Sequence, residues 1–180
     1  MGARRSADRA GLLDRWAAEL DSDRARFVDL LVREIGKPRR ARRGGGRPRG
    51  ARTRGSPPSW CATRGPVPVA PGVTAVPRPV GVVGLVTPWN NPLAIPVGKI
   101  APAIGFGNGV VLKPAPQASL TAHALLETLE RAGAPTGLVN VVFGATDAVR
   151  AVCRDLHVAA VSVTGSIGTG ARSPRSRRTR

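Results

Sequence analysis

The chain has 180 residues, which is enough for one domain of ordinary size. Its formal net charge is +17, but 14 of the 28 basic side chains lie in residues 39–64 and 171–180, where no acidic side chain occurs. The rest is nearly neutral, which argues against a folded nucleic-acid-binding surface. Two cysteines without metal-ligand spacing exclude a disulfide framework and a zinc motif. No apolar stretch reaches the ~20 residues of a membrane span and the N-terminus has no apolar signal core, so we expect a cytoplasmic protein.

Residues 6–35 place apolar side chains at three- and four-residue steps, which is typical of amphipathic helices. The sequence Asp21-Ser22-Asp23 predicts a break, with these side chains capping a second helix over residues 24–35. Gly36-Lys37-Pro38 predicts the end of that helix. Residues 1–38 therefore form a predicted helical pair, to which we assign no chemistry.

Residues 39–78 show neither a helical nor a strand period and are built mainly from Arg, Gly, Pro, Ala, Ser and Thr. Such a segment buries too little apolar area to offset its ordering entropy, which predicts an irregular or disordered linker. One alternative is an arginine-rich arm that attracts nucleic acid non-specifically, although only Trp60 offers a base-stacking side chain. Another is a coding region read out of frame, because these residues have GC-rich codons. The basic tail 171–180 has the same bias.

Residues 79–117 predict a βαβ unit. Residues 80–86 are a Val-rich apolar run typical of a buried parallel strand, and a Pro- and Asn-rich turn ends it. A helix is predicted over 93–106, and a second strand over 110–112 ends at Lys113. Residues just beyond the carboxyl ends of parallel strands line the ligand crevice, so Asn90 and Lys113 are candidate site residues.

Further elements continue the alternation of strand and helix. Ser119 is predicted to cap a helix over 120–132, and Gly133 ends it. Later elements are strand 137–142, helix 146–155 and strand 158–163. These lengths predict an α/β fold with a partial doubly wound, Rossmann-like parallel sheet over residues 79–170.

Several candidates admit a structural as well as a functional interpretation. The glycine-rich turn 165–170 follows a strand, so its backbone N–H groups are suited to bind a pyrophosphate, although glycine turns are common. Asn90 would alternatively form an Asx-turn, and Gly144 would be a turn glycine. Lys113 would alternatively be a solvated lysine at a strand end.

The segments TPWNNP, GKIAPAIGFGNGVVLKPAPQ and SVTGSIGTG resemble the nucleotide-binding domain of the aldehyde dehydrogenase superfamily, without gaps from about Pro77 to Gly170. The resemblance implies oxidation of an aldehyde to a carboxylic acid with NAD or NADP. It also implies site roles: Asn90 in the oxyanion hole, Lys99 in proton relay near the nicotinamide, Trp89 in the core with its backbone facing the cofactor, Lys113 on the adenosine ribose, Gly144 beside the adenine, and Gly165 and Ser166 on the phosphates. No metal is implied.

The chain departs from the family pattern in ways that limit these expectations. Pro116 stands where the family commonly has a ribose-binding glutamate, which leaves NAD versus NADP open. Pro174 interrupts the helix that should follow Gly170. In the family, the nucleophilic cysteine and the base glutamate lie beyond this turn, and neither Cys61 nor Cys153 has the family's flanking Gly-Gln.

We therefore expect a truncated fragment that does not oxidise aldehydes alone and lacks the family's dimerising hairpin. The alternatives are a non-catalytic nucleotide-binding module and an arginine-rich nucleic-acid-associated protein, although no specific nucleic-acid partner and no membrane are expected. His123 and His157 have no evident partners in the sequence and are expected at the surface or in packing.

Overall fold

The computed structural model describes residues 6–38 and 66–166, and the predictions for residues 39–65 and 167–180 lie outside these ranges. The five helices of the described part are α1 (Ser6–Ser22), α2 (Arg24–Ile35), α3 (Ala94–Gly105), α4 (Ser119–Arg131) and α5 (Thr146–Arg154). Its strands are β1 (Val67–Ala70), β2 (Val73–Ala75), β3 (Val82–Val86), β4 (Gly109–Lys113), β5 (Val139–Val141) and β6 (Val158–Val163). A 3-10 turn, Pro116–Ala118, precedes α4.

Strands β3 to β6 form a parallel sheet in the order β5-β4-β3-β6. The chain moves outward from β3 through β4 to β5, and it then returns to the other side of β3 with β6. Such a reversal defines a doubly wound sheet, with its switch point between the loops after β3 and β6. The predicted fold class, a partial doubly wound parallel sheet preceded by a helical pair, is confirmed.

The larger core lies on the face of the sheet that α3 and α4 cover. Leu85 of β3 and Leu112 of β4 pack there with apolar side chains of α3 and α4, and α1 and α2 pack outside these helices. Trp16 of α1 is buried, and its Nε1 donates to Thr128 Oγ1 of α4 at 2.9 Å. The buried indole N–H is thereby satisfied, so the helical pair belongs to the same packed unit as the sheet.

Two arginines of α1 bind carbonyl groups at the ends of the helices beneath. Arg9 Nε donates to Gly105 O, the last residue of α3, at 2.9 Å. Arg15 Nε donates to Ala132 O, just after α4, at 2.8 Å. The last carbonyls of a helix lack intrahelical partners and carry partial negative charge, so both guanidinium groups stabilise these ends.

The N-terminus of α4 is capped by a residue distant in sequence. The carboxylate of Glu34 accepts from Leu120 N at 2.6 Å, from Thr121 N at 2.9 Å and from Thr121 Oγ1 at 2.5 Å. The predicted Ser119 cap is wrong, because Ser119 is the first residue of α4 and its hydroxyl donates back to Pro116 O at 2.9 Å. The carboxylate of Glu34, which is distant in sequence, thus caps α4 in place of the nearby Ser119 hydroxyl.

The predicted break between α1 and α2 is correct, but the predicted capping is wrong for Asp23. Asp23 precedes α2 without a side-chain hydrogen bond to its N-terminus. Its carboxylate instead accepts from Arg131 Nη2 of α4 at 2.6 Å and lies 3.6 Å from Arg26 Nη1. Gly36 ends α2 with a φ of +65°, as its position predicted.

Strands β1 and β2 correct the prediction that residues 39–78 contain no strand. They form a short antiparallel hairpin in which every strand residue is exposed. Pro71-Gly72 turns the hairpin, and Gly72 has a φ of +72°, which suits the third residue of a type II turn. The strand residues lack apolar–polar alternation because neither face is buried, so periodicity missed them and the Pro-Gly turn was the available signal.

Helix α5 packs on the opposite face of the sheet at a glycine. A Cβ placed on Gly84 of β3 would lie 2.6 Å from Val152 Cγ1 of α5 and 3.2 Å from Val158 Cγ1. The absence of a side chain at Gly84 therefore allows α5 to approach the sheet closely. The close approach thereby fixes the position of α5 relative to the carboxyl ends of the strands.

Candidate functional site

A cavity of about 710 Å³ opens at the carboxyl edge of the sheet, at the switch point. This is where ligands bind in open α/β sheets. Its walls come from the ends of β3, β4 and β6, the loop after β3, and the first turns of α3 and α5. The lining residues are Val86, Thr87, Pro88, Trp89, Asn90, Ile95, Lys113, Ala115, Pro116, Ala145, Thr146, Val149, Arg150, Thr164, Gly165 and Ser166.

Five of the seven candidate site residues line this cavity together. They are Trp89, Asn90, Lys113, Gly165 and Ser166, and they come from three separate segments of the chain. Lys99 and Gly144 are not among the lining residues. The juxtaposition of the loops after β3, β4 and β6 follows from the parallel strand order, which brings their carboxyl ends to one edge.

Lys113 ends β4 with its side chain on the face that α5 covers. It pairs with Val86 two residues beyond the Gly84 pair, and alternate strand residues share a face. Lys113 is 5% exposed, so it is not the solvated lysine of the structural alternative. Its ammonium makes no hydrogen bond or ion pair with the described residues. Burial lowers the pKa of Lys113, because desolvation disfavours the charged form.

Thr87 is a site residue that the sequence interpretation missed. It is 3% exposed, and its hydroxyl has no hydrogen-bond partner among the residues that the structure describes. Its backbone N donates to Lys113 O at 3.1 Å, which extends the β3–β4 ladder by one bond. A buried hydroxyl without a partner is costly, and this one lines the cavity, so it is available to a ligand. Its position directly after a buried strand was the signal.

Asn90 is exposed at the rim, and its amide makes no hydrogen bond within residues 6–38 and 66–166. The Asx-turn alternative requires such a bond to the backbone and is therefore not formed. The expectation that Trp89 packs in the core is wrong, because its side chain is 53% exposed and lines the cavity. The four residues of the turn from Thr87 to Asn90 all line the cavity, so the indole of Trp89 lies at the cavity and not in the core.

Lys99 projects from α3 toward the edge strand β6. Its Nζ donates to Ser162 O at 3.0 Å and to Ser162 Oγ at 2.8 Å. Partial burial lowers its pKa through desolvation. Here the ammonium ties α3 to β6, which explains a lysine in an otherwise apolar helix. Its role in proton relay stays a prediction.

Gly144 lies in the turn between β5 and α5. Its φ is +145°, and a Cβ there would lie 2.8 Å from Ala148 Cβ in the first turn of α5. The turn therefore requires glycine for its backbone conformation and for the close approach of the helix. Its neighbour Ala145 lines the cavity, and the role of Gly144 beside an adenine stays a prediction.

The loop after β6 keeps its register with the sheet before it enters the cavity wall. Thr164 N donates to Val86 O at 2.9 Å, and Gly165 and Ser166 follow it along the cavity. The remaining positions of the glycine-rich motif, with the helix predicted after them, lie outside the described residues.

The two histidines have partners, contrary to the sequence interpretation. His123 Nε2 lies 3.3 Å from Glu127 Oε1, and His157 Nδ1 lies 3.1 Å from Asp155 Oδ1, both at exposed positions. No group of three His, Cys, Asp or Glu side chains suited to a metal occurs in the part of the chain that the structure describes. Among its helices, none combines the length and apolarity needed to cross a bilayer.

The unsatisfied polar groups of the cavity form a chemically coherent set. The Lys113 ammonium and the Asn90 amide are donors, and the Thr87 hydroxyl both donates and accepts. Such groups suit a ligand rich in hydroxyl and phosphoryl oxygens, and the apolar walls from Val86, Ile95 and Val149 suit a flat ring. The residues present therefore fit a nicotinamide dinucleotide.

Comparison with known proteins gives one consistent family. Residues 1–176 match the model of the aldehyde dehydrogenase family. A 2,5-dioxopentanoate dehydrogenase of Saccharolobus solfataricus is 48% identical over 101 residues, which are 56% of this chain and 21% of that protein. The human 2-aminomuconic semialdehyde dehydrogenase is 46% identical over 98 residues, 54% of this chain and 20% of that protein.

Solved structures agree with this result. The crystal structure of PnpE in complex with nicotinamide adenine dinucleotide superposes with a TM-score of 0.84 at 30% identity, over 95% of this chain and 36% of that one. An NAD-dependent aldehyde dehydrogenase from Sinorhizobium meliloti gives 0.82 at 30% identity, over 95% and 35%. The chain thus spans about a fifth of the length of these curated relatives and just over a third of these solved structures.

Proposed function

The chain belongs to the aldehyde dehydrogenase family, and from this premise we propose that its cavity at the switch point binds the nicotinamide dinucleotide used for aldehyde oxidation. The observation that carries the proposal is the group of polar side chains at one cavity with no partner among the described residues: Lys113, Thr87 and Asn90. When bound, the dinucleotide supplies the hydride acceptor that the twenty amino acids lack.

Lys113 and Thr87 are proposed to hold the adenosine ribose. The Lys113 ammonium is fixed at the end of β4 by the strand register, and Thr87 follows the end of the adjacent β3. Both are buried, so the low local dielectric strengthens a hydrogen bond that either makes to a ribose oxygen. The lysine also provides charge that attracts the nearby phosphates.

Gly165 and Ser166 are proposed to contact the pyrophosphate. They follow the last strand of the sheet on the other side of the switch point. A glycine at this place lets the backbone approach phosphoryl oxygens, and backbone N–H groups there donate to them. Gly144 and Trp89 complete the proposed cofactor set, Gly144 by keeping side-chain bulk away from the adenine.

Asn90 is proposed to donate its side-chain amide to the oxygen of the aldehyde as negative charge develops there. An amide with no partner among the described residues is already available for this role, which lowers the reorganisation needed during reaction. Lys99 is proposed to act near the nicotinamide end of the cofactor. There its ammonium would either give up its hydrogen bond to Ser162 Oγ or relay a proton through that hydroxyl. An aldehyde is the proposed substrate class of the longer relatives.

No cysteine lies among the cavity-lining residues, and Cys153 lies on α5 outside that set. Oxidation in this family proceeds through a covalent adduct of the aldehyde with a thiolate, and no cysteine of the described residues is placed at the cavity to form it. We therefore propose that this chain binds the cofactor and does not oxidise aldehydes.

A fluorescence titration tests this proposal. The full 180-residue chain is titrated with NADH and with NADPH, and nicotinamide emission is recorded with and without excess NAD or NADP as competitor. We expect saturable, competable binding, together with no increase in absorbance at 340 nm when NAD or NADP and propanal are mixed with the chain. Lys113→Met should weaken binding about tenfold or more, the effect of one lost charge-assisted hydrogen bond.

Two outcomes would contradict the proposal in different ways. Absence of competable binding by either dinucleotide would refute cofactor binding, provided that circular dichroism shows the helical content of the folded chain. Aldehyde-dependent absorbance at 340 nm would refute the inactivity of this chain. The matched control is Lys37→Met, because Lys37 does not line the cavity and, among the described residues, its ammonium donates a hydrogen bond only to Asn91 Oδ1, at 3.5 Å.

A further inference from the structure

The charged side chains at the cavity are all cationic within the described residues. Lys113 and Arg150 line the cavity, and no aspartate or glutamate does. Arg150 lies on α5 and Lys113 lies on the face of the sheet that α5 covers, so both cations belong to the same wall. This wall adjoins the carboxyl end of β4, the second strand of the doubly wound unit.

The carboxyl end of the second strand is where dinucleotide folds distinguish their cofactors. An acidic side chain beside the adenosine ribose hydrogen-bonds the 2′-hydroxyl and repels a 2′-phosphate, whereas a nearby arginine accommodates that phosphate. In this chain the residues after Lys113 are Pro114, Ala115 and Pro116, and Ala115 and Pro116 line the cavity without offering a carboxylate.

Asp147 is the acidic residue closest in sequence to Arg150, and it only weakly neutralises the positive charge of this wall. Its Oδ1 lies 3.0 Å from Arg150 Nη1, but its side chain is 94% exposed and does not line the cavity. Exposed ion pairs of this kind contribute little, and such an arginine can exchange its partner for a phosphate that binds two N–H groups at once. Arg150 is therefore available to an anion in the cavity.

We propose that this cavity prefers a dinucleotide whose adenosine ribose carries a 2′-phosphate, with Arg150 and Lys113 binding that phosphate. The inference rests on the proposed cofactor site and specifies the cofactor class that the site takes. Burial strengthens the contribution of Lys113, because its charge is shielded from bulk water and has no protein partner among the described residues. Pro116 contributes because it places no carboxylate beside the phosphate, not because it contacts the phosphate.

Adenosine nucleotides isolate the effect of the 2′-phosphate. Isothermal calorimetry of the full chain compares adenosine 2′,5′-bisphosphate with 5′-AMP, which differ only in that group. Adenosine 3′,5′-bisphosphate serves as a control of equal charge, because a chain of net charge +17 attracts any polyanion. We expect the 2′,5′-bisphosphate to bind about tenfold or more tighter than both others, the factor of one charge-assisted contact.

Matched variants identify the residues responsible. Arg150→Gln should reduce the preference for the 2′-phosphate about tenfold while leaving 5′-AMP affinity unchanged. Arg154→Gln, one turn further along α5 and outside the cavity, should change neither affinity. Pro116→Glu should lower the affinity for the 2′,5′-bisphosphate by at least as much, since it introduces a carboxylate at the wall.

The results separate this inference from the proposed function. Saturable binding of NADH and NADPH with equal affinity, or tighter binding of NADH, would refute the 2′-phosphate preference and leave the cofactor site intact. Equal affinity for the 2′,5′- and 3′,5′-bisphosphates would likewise refute it, because it would show attraction by charge alone. Absence of binding by every nucleotide would refute both proposals together.

Discussion

The carboxylate of Glu34 provides the sharpest test of how the N-terminal helices support the rest of the fold. Glu34→Gln preserves the size of the side chain but leaves one acceptor oxygen for three donors and turns an NH₂ group toward N–H groups of α4. Loss of a helix cap costs about 0.5–2 kcal/mol, and loss of the charge at a helix N-terminus costs about 0.3–1 kcal/mol. Since Glu34 is only partly buried, we expect the free energy of unfolding to fall by about 1–2 kcal/mol.

Urea unfolding followed by far-UV circular dichroism measures this change. Glu130→Gln is the matched control, because Glu130 is an exposed residue of α4 whose side chain has no partner among the described residues. Ordinary surface substitutions change the free energy of unfolding by no more than about 0.5 kcal/mol. If the free energy of unfolding of Glu34→Gln lies within that range of the wild-type value, the capping argument is refuted. A fall as large in Glu130→Gln would refute it too, because the loss would then reflect any missing carboxylate.

Two further predictions concern the sheet. Gly84→Ala should lower the free energy of unfolding, measured in urea, by about 1–3 kcal/mol, because the new Cβ would lie 2.6 Å from Val152 Cγ1. The control is Gly98→Ala in helix α3. A Cβ there has no atom within 4 Å, so this substitution should be neutral or stabilising. Equal effects of the two would contradict close packing of α5. Lys113→Met should raise the free energy of unfolding at pH 7, because the lowered pKa means that the folded state binds the proton less tightly than the unfolded state. This advantage should disappear as pH rises from the lowered folded pKa through the usual value of 10.5, and equal stability at pH 7 would contradict the buried charge.

Much of the fold could be predicted because its signals are local. The residues of β3 and β4 are half-buried or buried, so these strands stand out as apolar runs. The edge strand β6 is mostly exposed, but as a regular strand between turn residues it was predicted with the bounds that the structure has. The break at Asp23 and the end of α2 at Gly36 were also visible, because turn residues interrupt a regular helical period. Each of these features depends on residues that are neighbours in sequence.

The errors occurred where tertiary contacts replaced local ones. Ser119 is a good cap by residue type, but Glu34 reaches the N-terminus of α4 from 86 residues away, and no sequence window contains both. Asp23 was likewise drawn from capping to an arginine of α4. Trp89 was expected in the core, yet its turn places it at the cavity, where it is 53% exposed. The positions of Asn90 and Lys113 could be predicted since the carboxyl ends of parallel strands meet at one edge.

The cost of Lys113 to the fold supports its assignment to ligand binding. A buried ammonium with no hydrogen bond among the described residues destabilises the folded chain, and the unpartnered Thr87 hydroxyl beside the same strand end adds to that cost. An apolar residue would pack at either position without this penalty. Both groups lie at the switch point, where an oxygen-rich ligand would satisfy them and the binding energy would offset the loss. It follows that a saturating nucleotide should stabilise the wild-type chain more than Lys113→Met, so that ligand reverses the order of stability of the two proteins.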